Sequence, residues 1–321
     1  MNEIQVSIIC NTYNQKDYIK GALDSFIMQK TNFAFEILVH DDASTDGTAD
    51  IVREYEKKYP DLIKPIYQME NQYSQGVRIT LTFQAPRAKG KYIAFCEGDD
   101  YWTDPLKLQK QYVTMEEHPE VDMCAHKTLC LDARTNKVVG YSAPVNETTT
   151  LAVERVIFGG GMYIATNSLF YRKELYDNIP PFRKLYSLDY TLQIHGALRG
   201  GMLYLNDCMS VYRVQAKGSW TNHMRLNVGA HIAHYNKVQE MLIQLNIDTK
   251  NQYINIIKKT INNYKYSALA IENQYKKLLT KEYKEVYQQL SFKDRIKVRI
   301  KAYFPFLVKW ARKHRKKSIN E

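Results

Sequence analysis

The chain of 321 residues has no run of 18 apolar residues, so a membrane-spanning helix is not expected. It has only five cysteines, Cys10, Cys96, Cys124, Cys130 and Cys208, an odd number with no C-x-x-C pair. A disulfide framework and a zinc ribbon both lose support, and a reducing cytoplasm fits best. The start, "MNEIQVSIIC", lacks a basic n-region and its apolar stretch is short, so a cleaved signal peptide is not expected. G-x-G-x-x-G is missing, which disfavours a dinucleotide enzyme. "ICNTYNQKDY" has no Gly-rich phosphate loop ending in a basic residue, as a sugar-nucleotide pyrophosphorylase of α/β form would need. No internal repeat and no low-complexity linker is visible.

What is present can bury a sizeable core, since 45% of the residues are hydrophobic. The length suggests about two domains. Acid is the scarcer charge, and the net charge is +11. That excess is local. Residues 291–321 hold seven Lys and four Arg against Asp294 and Glu321, a net +9, which leaves +2 for residues 1–290.

Over the first 120 residues, short β-branched runs alternate with helical patterns. "QVSIIC" (5–10), "FEILVHD" (35–41), "IKPIYQM" (63–69) and "KYIAFC" (91–96) read as strands. "DYIKGALDSFIMQ" (17–29) puts Ile19, Leu23, Phe26 and Ile27 at helical spacing, and "GTADIVREYEKKYP" (47–60) is an amphipathic helix ended by Pro60. The alternation predicts an α/β domain with a mainly parallel sheet. From 121 to 228 the pattern is less regular. A Gly-rich stretch (158–173) leads into an apolar strand, a helix (185–201) closes on Gly200–Gly201, and 202–215 reads as one or two strands. Residues 229–290 contain no Gly or Pro after Gly229 and suggest several helices.

Two acid clusters follow predicted strands, at the carboxyl edge where open α/β sheets bind ligands. In "HDDASTDGT", Ser44, Thr45 or Asp46 can cap the following helix, which leaves Asp41 and Asp42 unexplained. In "CEGDDYWTDP", Glu97, Asp99 and Asp100 repel one another unless a cation offsets them, or unless the turn is simply solvated. Hard divalent cations take one or two carboxylates plus substrate phosphates. A departing diphosphate needs such a cation.

"VSIICNTYNQKDYI", "DDASTDGT", "AKGKYIAFCEGDDYWTDPLKLQKQ" and "VYR" stand in the order and spacing of family 2 glycosyltransferases, which the chain resembles over about residues 4–220. The "EGDDYW" version looks like the bacterial surface-polysaccharide branch. The resemblance implies a GT-A fold (α/β, Rossmann-like, with flanking helices) and a C-terminal helical extension. Residues 1–120 would form the nucleotide-sugar-binding half, 121–228 the acceptor-binding half, and 229–321 a helical region with a basic tail. It implies inverting transfer from a nucleotide-diphospho-sugar, UDP-linked as is usual in the family, with Mn2+ or Mg2+, to a glycan or lipid-linked glycan.

Carried onto these residues, Asn11, Thr12, Tyr13 and Asn14 would line the nucleotide pocket, with Tyr13 stacked on the base. Asp42 would accept a hydrogen bond from the base. Asp99 would ligate the metal, with Glu97 at the first acid of the D-x-D motif, where relatives more often have Asp. Asp100 would lie by the sugar or the metal shell, Trp102 and Tyr101 would wall the sugar side, and Arg78 would touch the diphosphate. Asp189 in "SLDYTLQIHGALRGG" would be the general base, with a helix-capping Asp as the plainer reading, while His195 is expected to be structural. Relatives commonly carry "YR-x-H" where this chain has Gln215, and His223 is a candidate substitute. A non-catalytic partner of a polysaccharide assembly complex is the alternative.

The tail, "SFKDRIKVRIKAYFPFLVKWARKHRKK" (291–317), places Phe292, Ile296, Ile300 and Tyr303 at steps of three or four before Pro305. A basic amphipathic helix with aromatics predicts contact with an anionic membrane surface. The plainer reading is a helix docked on the protein with a solvated charged face. No nucleic-acid module is visible. The expected location is cytoplasmic, peripheral at the inner face of the membrane, and a homodimer is compatible with the sequence.

Overall fold

The computed structural model describes residues 3–306 apart from 187, 218, 220–223, 225 and 226. His223 and the tail beyond 306 therefore lie outside the described residues. Two compact units make up the chain, Met1–His223 and Met224–Glu321.

The first unit begins with four strands and two helices, β1 (Ile4–Thr12), α1 (Lys16–Ile27), β2 (Ala34–Asp41), α2 (Thr48–Lys58), β3 (Ile63–Tyr67) and β4 (Tyr92–Phe95). β1 pairs in parallel with β2 and β4, and β2 with β3. Apolar runs suit strands covered on both faces. Val6, Ile8, Cys10, Ile37, Val39, Tyr92 and Ala94 join α1's Ile19, Leu23 and Phe26 in one buried cluster. Each such aliphatic or aromatic side chain stabilises by about 1.5–3 kcal/mol. The N-cap of α2 is Gly47, at φ +97°, rather than Ser44, Thr45 or Asp46; of those three, Asp46 is the one that reaches the helix, accepting the Thr48 N–H at 2.9 Å.

The remainder comprises β5 (Tyr101–Trp102), α3 (Lys107–Glu117), β6 (Met123–Asp132), β7 (Lys137–Ser142), β8 (Thr149–Leu151), α4 (Val153–Gly159), β9 (Phe170–Arg172), α5 (Pro181–Leu185), α6 (Asp189–Ala197) and β10 (Met202–Val214). The strand order is β3-β2-β1-β4-β9-β6-β10-β5, with β7 on β6 and β8 on β10. Beyond β4 the sheet is mixed: β9 runs antiparallel between β4 and β6, while β6 and β10 are parallel. The chain runs from β1 outward through β2 to β3 and then crosses back to β4 on the other side of β1, so the topological switch point lies at the carboxyl ends of β1 and β4.

The Gly-rich stretch leads into a short strand of three residues, Phe170–Arg172. Met202–Val214 is one long strand, of the one or two expected, and its register with β6 shifts twice between Leu205 and Ser210.

The second unit is helical, with α7 (Val228–Asp248), α8 (Ile254–Ile271), α9 (Lys284–Gln289) and α10 (Phe292–Tyr303). α7 packs on α8. Tyr266, Leu278, Tyr283 and Val298 form a small core with Tyr275, Val286 and Tyr287 against it. Ser291 caps α10, its Oγ accepting the Asp294 N–H at 3.1 Å.

Candidate active site

β1 ends in a hydrogen-bonded corner. Asn11 donates to Thr80 Oγ1 at 3.0 Å and accepts from Gln84 Nε2 at 3.3 Å. Thr12 is buried, and its hydroxyl donates to Gln15 Oε1 at 2.8 Å. Asn14, at φ +51°, clips this corner to the end of β2: its N–H donates to Ser44 Oγ at 2.9 Å and its Oδ1 accepts the Thr45 N–H at 2.8 Å. Tyr13 is 46% exposed, which leaves a ring face open beside the corner.

Asp42 is buried, and the protein's own backbone occupies both of its oxygens. Oδ1 accepts the Gln72 N–H at 2.8 Å and Oδ2 the Tyr73 N–H at 3.0 Å. His40 Nε2 is 3.5 Å from Oδ1, and burial holds this imidazole below its usual range. Asp42 thus pins the loop that carries Tyr73. Further along this loop, the Arg78 guanidinium donates to the Lys184 carbonyl at the end of α5.

The acid turn follows β4. Gly98 lets the turn lie close to β1: a Cβ would sit 2.5 Å from Gln15 Oε1 and 2.7 Å from Thr12 Oγ1, so both side chains would have to shift. The Gly98 N–H donates to the Asn11 carbonyl at 3.0 Å, so the end of β1 carries the turn directly. Glu97 is exposed to solvent by its surface area, although dense protein lies around it. Burial, with the charges of Asp99 and Asp189, pushes its carboxyl up to about 8. Burial also raises Asp99, against the pull of its own backbone N–H, Arg213 and Gln15. Asp100 is 1% exposed and is pushed well up by burial and by Asp99. Its Oδ1 accepts the Arg213 N–H at 2.8 Å, while Oδ2 is buried with no hydrogen-bond partner. Arg213 Nη1 donates to the Asp99 carbonyl at 2.6 Å, and the guanidinium lies between the rings of Tyr101 (4.4 Å) and Tyr18 (5.1 Å). Arg213 therefore holds the turn in place with its backbone N–H and one guanidinium nitrogen. It does not neutralise all three acids.

Trp102 corrects the expectation. It is 1% exposed, its Nε1 donates to the Asn167 carbonyl at 3.0 Å, and its ring packs on Phe26 and under Lys107. It belongs to the core, with no face left for a sugar.

Asp189 opens α6. Its Oδ2 accepts from Thr166 Oγ1 at 2.6 Å and its Oδ1 from the Tyr190 N–H at 2.7 Å. Burial raises its carboxyl, offset by the Thr166 hydroxyl. Its charge contributes to the rise of Glu97, so the two carboxyls lie within electrostatic reach of one another. His195 accepts from Arg183 Nη1 at 3.1 Å; burial and that guanidinium push it down to about 4, and it faces the protein interior edge-on to Phe182. Gln215, at φ +63°, donates to Asp132 Oδ2 at 3.2 Å.

Sequence reasoning left Gln15, Tyr73, Thr166 and Arg213 without roles. Tyr73 lies close enough to the turn for Glu97's charge to raise its phenol, after burial. Only Arg213 carried a signal, as the last residue of "VYR".

Among the described residues, no three Asp, Glu, His or Cys side chains converge as a closed cation cage. The donor set still fits Mn2+ or Mg2+. Such an ion needs one or two carboxylates and takes its other ligands from phosphates and water. Asp99, Glu97 and the bare Asp100 Oδ2 supply clustered acid whose charge the protein leaves unbalanced.

A parallel α/β half-sheet with this acid turn at its switch point defines a GT-A fold. Solved structures agree. Residues 1–349 of Staphylococcus aureus TarS superpose with a TM-score of 0.60 at 19% identity, covering 89% of this chain and 77% of that fragment. Mannosyltransferase PcManGT from Pyrobaculum calidifontis, in complex with GDP-Man and Mn2+, gives 0.57 at 16% identity, covering 94% and 85%. The family model described as Glycosyl transferase family 2 matches residues 7–180, more than half of the chain, and the chain belongs to that family. An uncharacterised protein of Mycobacterium tuberculosis is 38% identical over 216 residues, 67% of this chain and 60% of the relative, so the chain spans about 60% of that relative's length. UDP-Glc:alpha-D-GlcNAc-diphosphoundecaprenol beta-1,3-glucosyltransferase WfaP of Escherichia coli is 38% identical over 35% of this chain and 41% of its own.

Proposed function

We propose that this chain is a metal-dependent inverting glycosyltransferase. In this reading it moves a sugar from a nucleoside-diphospho-sugar, UDP-linked, to a glycan or lipid-linked glycan in surface-polysaccharide synthesis. It works in the cytoplasm, at the inner face of the membrane that carries the acceptor. The carrying observation is the turn Glu97–Asp100, whose clustered carboxyls are raised by burial and mutual charge, with Glu97 in electrostatic reach of Asp189. Support for the donor class comes from TarS, whose structure in complex with UDP-GlcNAc has a TM-score of 0.60 to this chain. WfaP, by its name, uses UDP-Glc and a diphosphoundecaprenol-linked sugar.

Tyr13 stacks on the base, and the β1 corner and the Asp42-pinned loop enclose the nucleoside. Asp99 and Glu97 hold the cation, which when bound supplies positive charge against the leaving diphosphate. Asp189 accepts the proton of the acceptor hydroxyl as that oxygen attacks the anomeric carbon. Thr166 and the Tyr190 N–H orient its carboxylate. Attack from the face opposite the diphosphate inverts the centre in one displacement. UDP release from UDP-sugars with Mn2+ tests the reading. Loss of that release in Asp99→Ala supports it, and an undiminished rate overturns it.

A further inference from the structure

We infer that α10 is an in-plane anchor for an anionic lipid surface. The inference stands independently of the sugar-transfer reading. α10 presents two opposed faces. One packs inward through Val298 and Ala302, 9% and 3% exposed, with Lys301 Nζ donating to Tyr275 OH at 3.0 Å. The other carries Phe292, Ile296, Ile300 and Tyr303, which are 73%, 41%, 38% and 62% exposed. At 100° per residue these four fall within an arc of about 80°. Phe304 and Phe306 extend the exposed apolar surface, at 50% and 62%. The periodicity noted in the sequence is therefore not what docks the helix. Its apolar stripe faces outward, and the packing uses a different pair of residues.

Charge selects the occupant. Lys293 and Arg299 flank the stripe on its two sides by the same helical geometry, and both are exposed. Arg299 and Tyr303 also line a cavity of about 480 Å³ together with Lys281, Lys284, Thr280 and Tyr287. Three basic side chains around a pocket that opens beside an apolar stripe match one chemistry in particular. Acyl chains take the stripe, and an anionic headgroup takes the pocket. A protein partner would have to supply an apolar groove rimmed by acid on both sides. A second copy of this chain offers α10 the same basic rim, and like charges would meet. No helix among the described residues is long and apolar enough to cross a membrane, so the contact is peripheral. Interfacial helices bind through buried apolar area plus attraction to anionic lipid. Each basic residue near such a surface adds to the affinity.

Sedimentation of the full chain with phosphatidylcholine vesicles, with and without phosphatidylglycerol, tests this. Binding is expected only when phosphatidylglycerol is present, and it should weaken as salt rises. Ile296→Asp with Ile300→Asp, and separately Lys281→Glu with Lys284→Glu, should each lower partitioning by at least about tenfold. Both pairs should leave the thermal melt unchanged. Should the Asp pair perturb folding, Phe292→Ser with Tyr303→Ser carries the same expectation. The inference is overturned if the wild type ignores phosphatidylglycerol vesicles or if the variants bind them as well as wild type. It is also overturned if light scattering shows a dimer that the Asp pair dissociates while vesicle binding is absent.

Discussion

Two acid corners at the carboxyl edge of one sheet have been treated in opposite ways. At the end of β2, Asp42 is closed: the Gln72 and Tyr73 amides occupy both oxygens, and His40 lies alongside. At the end of β4, the turn 97–100 is open. One Asp100 oxygen is buried and bare, neither Glu97 nor Asp99 forms an ion pair among the described residues, and all three carboxyls are pushed up. A carboxylate fully satisfied by amides has structure as its first task. Carboxylates that the fold leaves short of positive charge are poised to receive it from a ligand. Lys107 does not change this. Its buried ammonium sits 3.9 Å from the Trp102 ring and donates to Gln111 at 2.7 Å.

The largest expected effect falls on the open corner. Asp99→Ala and Asp189→Asn should each lower kcat for UDP-sugar turnover by about 10³-fold or more, consistent with loss of a charge clamp or a general base. Asp99→Ala should not lower the melting temperature, because it relieves repulsion, and a clear destabilisation would remove the distinction between the corners.

The second effect is on pH. Glu97's folded value of about 8 lies above its ordinary 4.5, so the folded state holds the proton longer. Stability from this group is therefore complete below about pH 4.5 and is lost as pH rises toward about 8. Glu97→Gln should flatten that decline in thermal melts, and Mn2+ with UDP should counter it in the wild type. A wild-type chain whose melt falls no faster than the variant's over this range would close the open corner on paper.

Third, Asp42→Ala should cost about 2 kcal/mol in urea unfolding, since two part-buried amides lose a charged acceptor, and should weaken UDP binding as the Tyr73 loop loosens. Asp42→Asn should cost less.

The smallest effect concerns Lys107, which burial pushes down to about 7. The unfolded chain binds this proton up to about 10.5, so the group makes stability rise with pH between those values. Lys107→Met should remove that slope in thermal melts across this pH range and leave UDP-sugar turnover unchanged.

Much of this was legible beforehand, and the rest was hidden for definite reasons. The first four strands and two helices stand out because parallel strands covered on both faces are apolar throughout and α1 shows its stripe. β6 does not, because its buried side chains include His126 and Thr128. Thr128 pairs with Ser210 of β10 at 2.8 Å, and Ser210 reaches Asn167, so no apolar period marks β6. Gln84 is fully buried, donating to the Leu38 carbonyl at 3.0 Å, and nothing local in the sequence announces a core glutamine. The acids were readable because clustered charge after a strand is anomalous in any register. Trp102 was misread because two residues of β5 do not reveal which side of the pleat faces the core. Asp42's amide partners were invisible because they come from a loop 30 residues away.

The Arg78 link to the Lys184 carbonyl joins two stretches far apart in sequence. It fastens the loop pinned by Asp42 to the segment just ahead of Asp189, so the two acids are tied together outside the sheet as well as through it. A substitution at Arg78 therefore bears on both stretches at once.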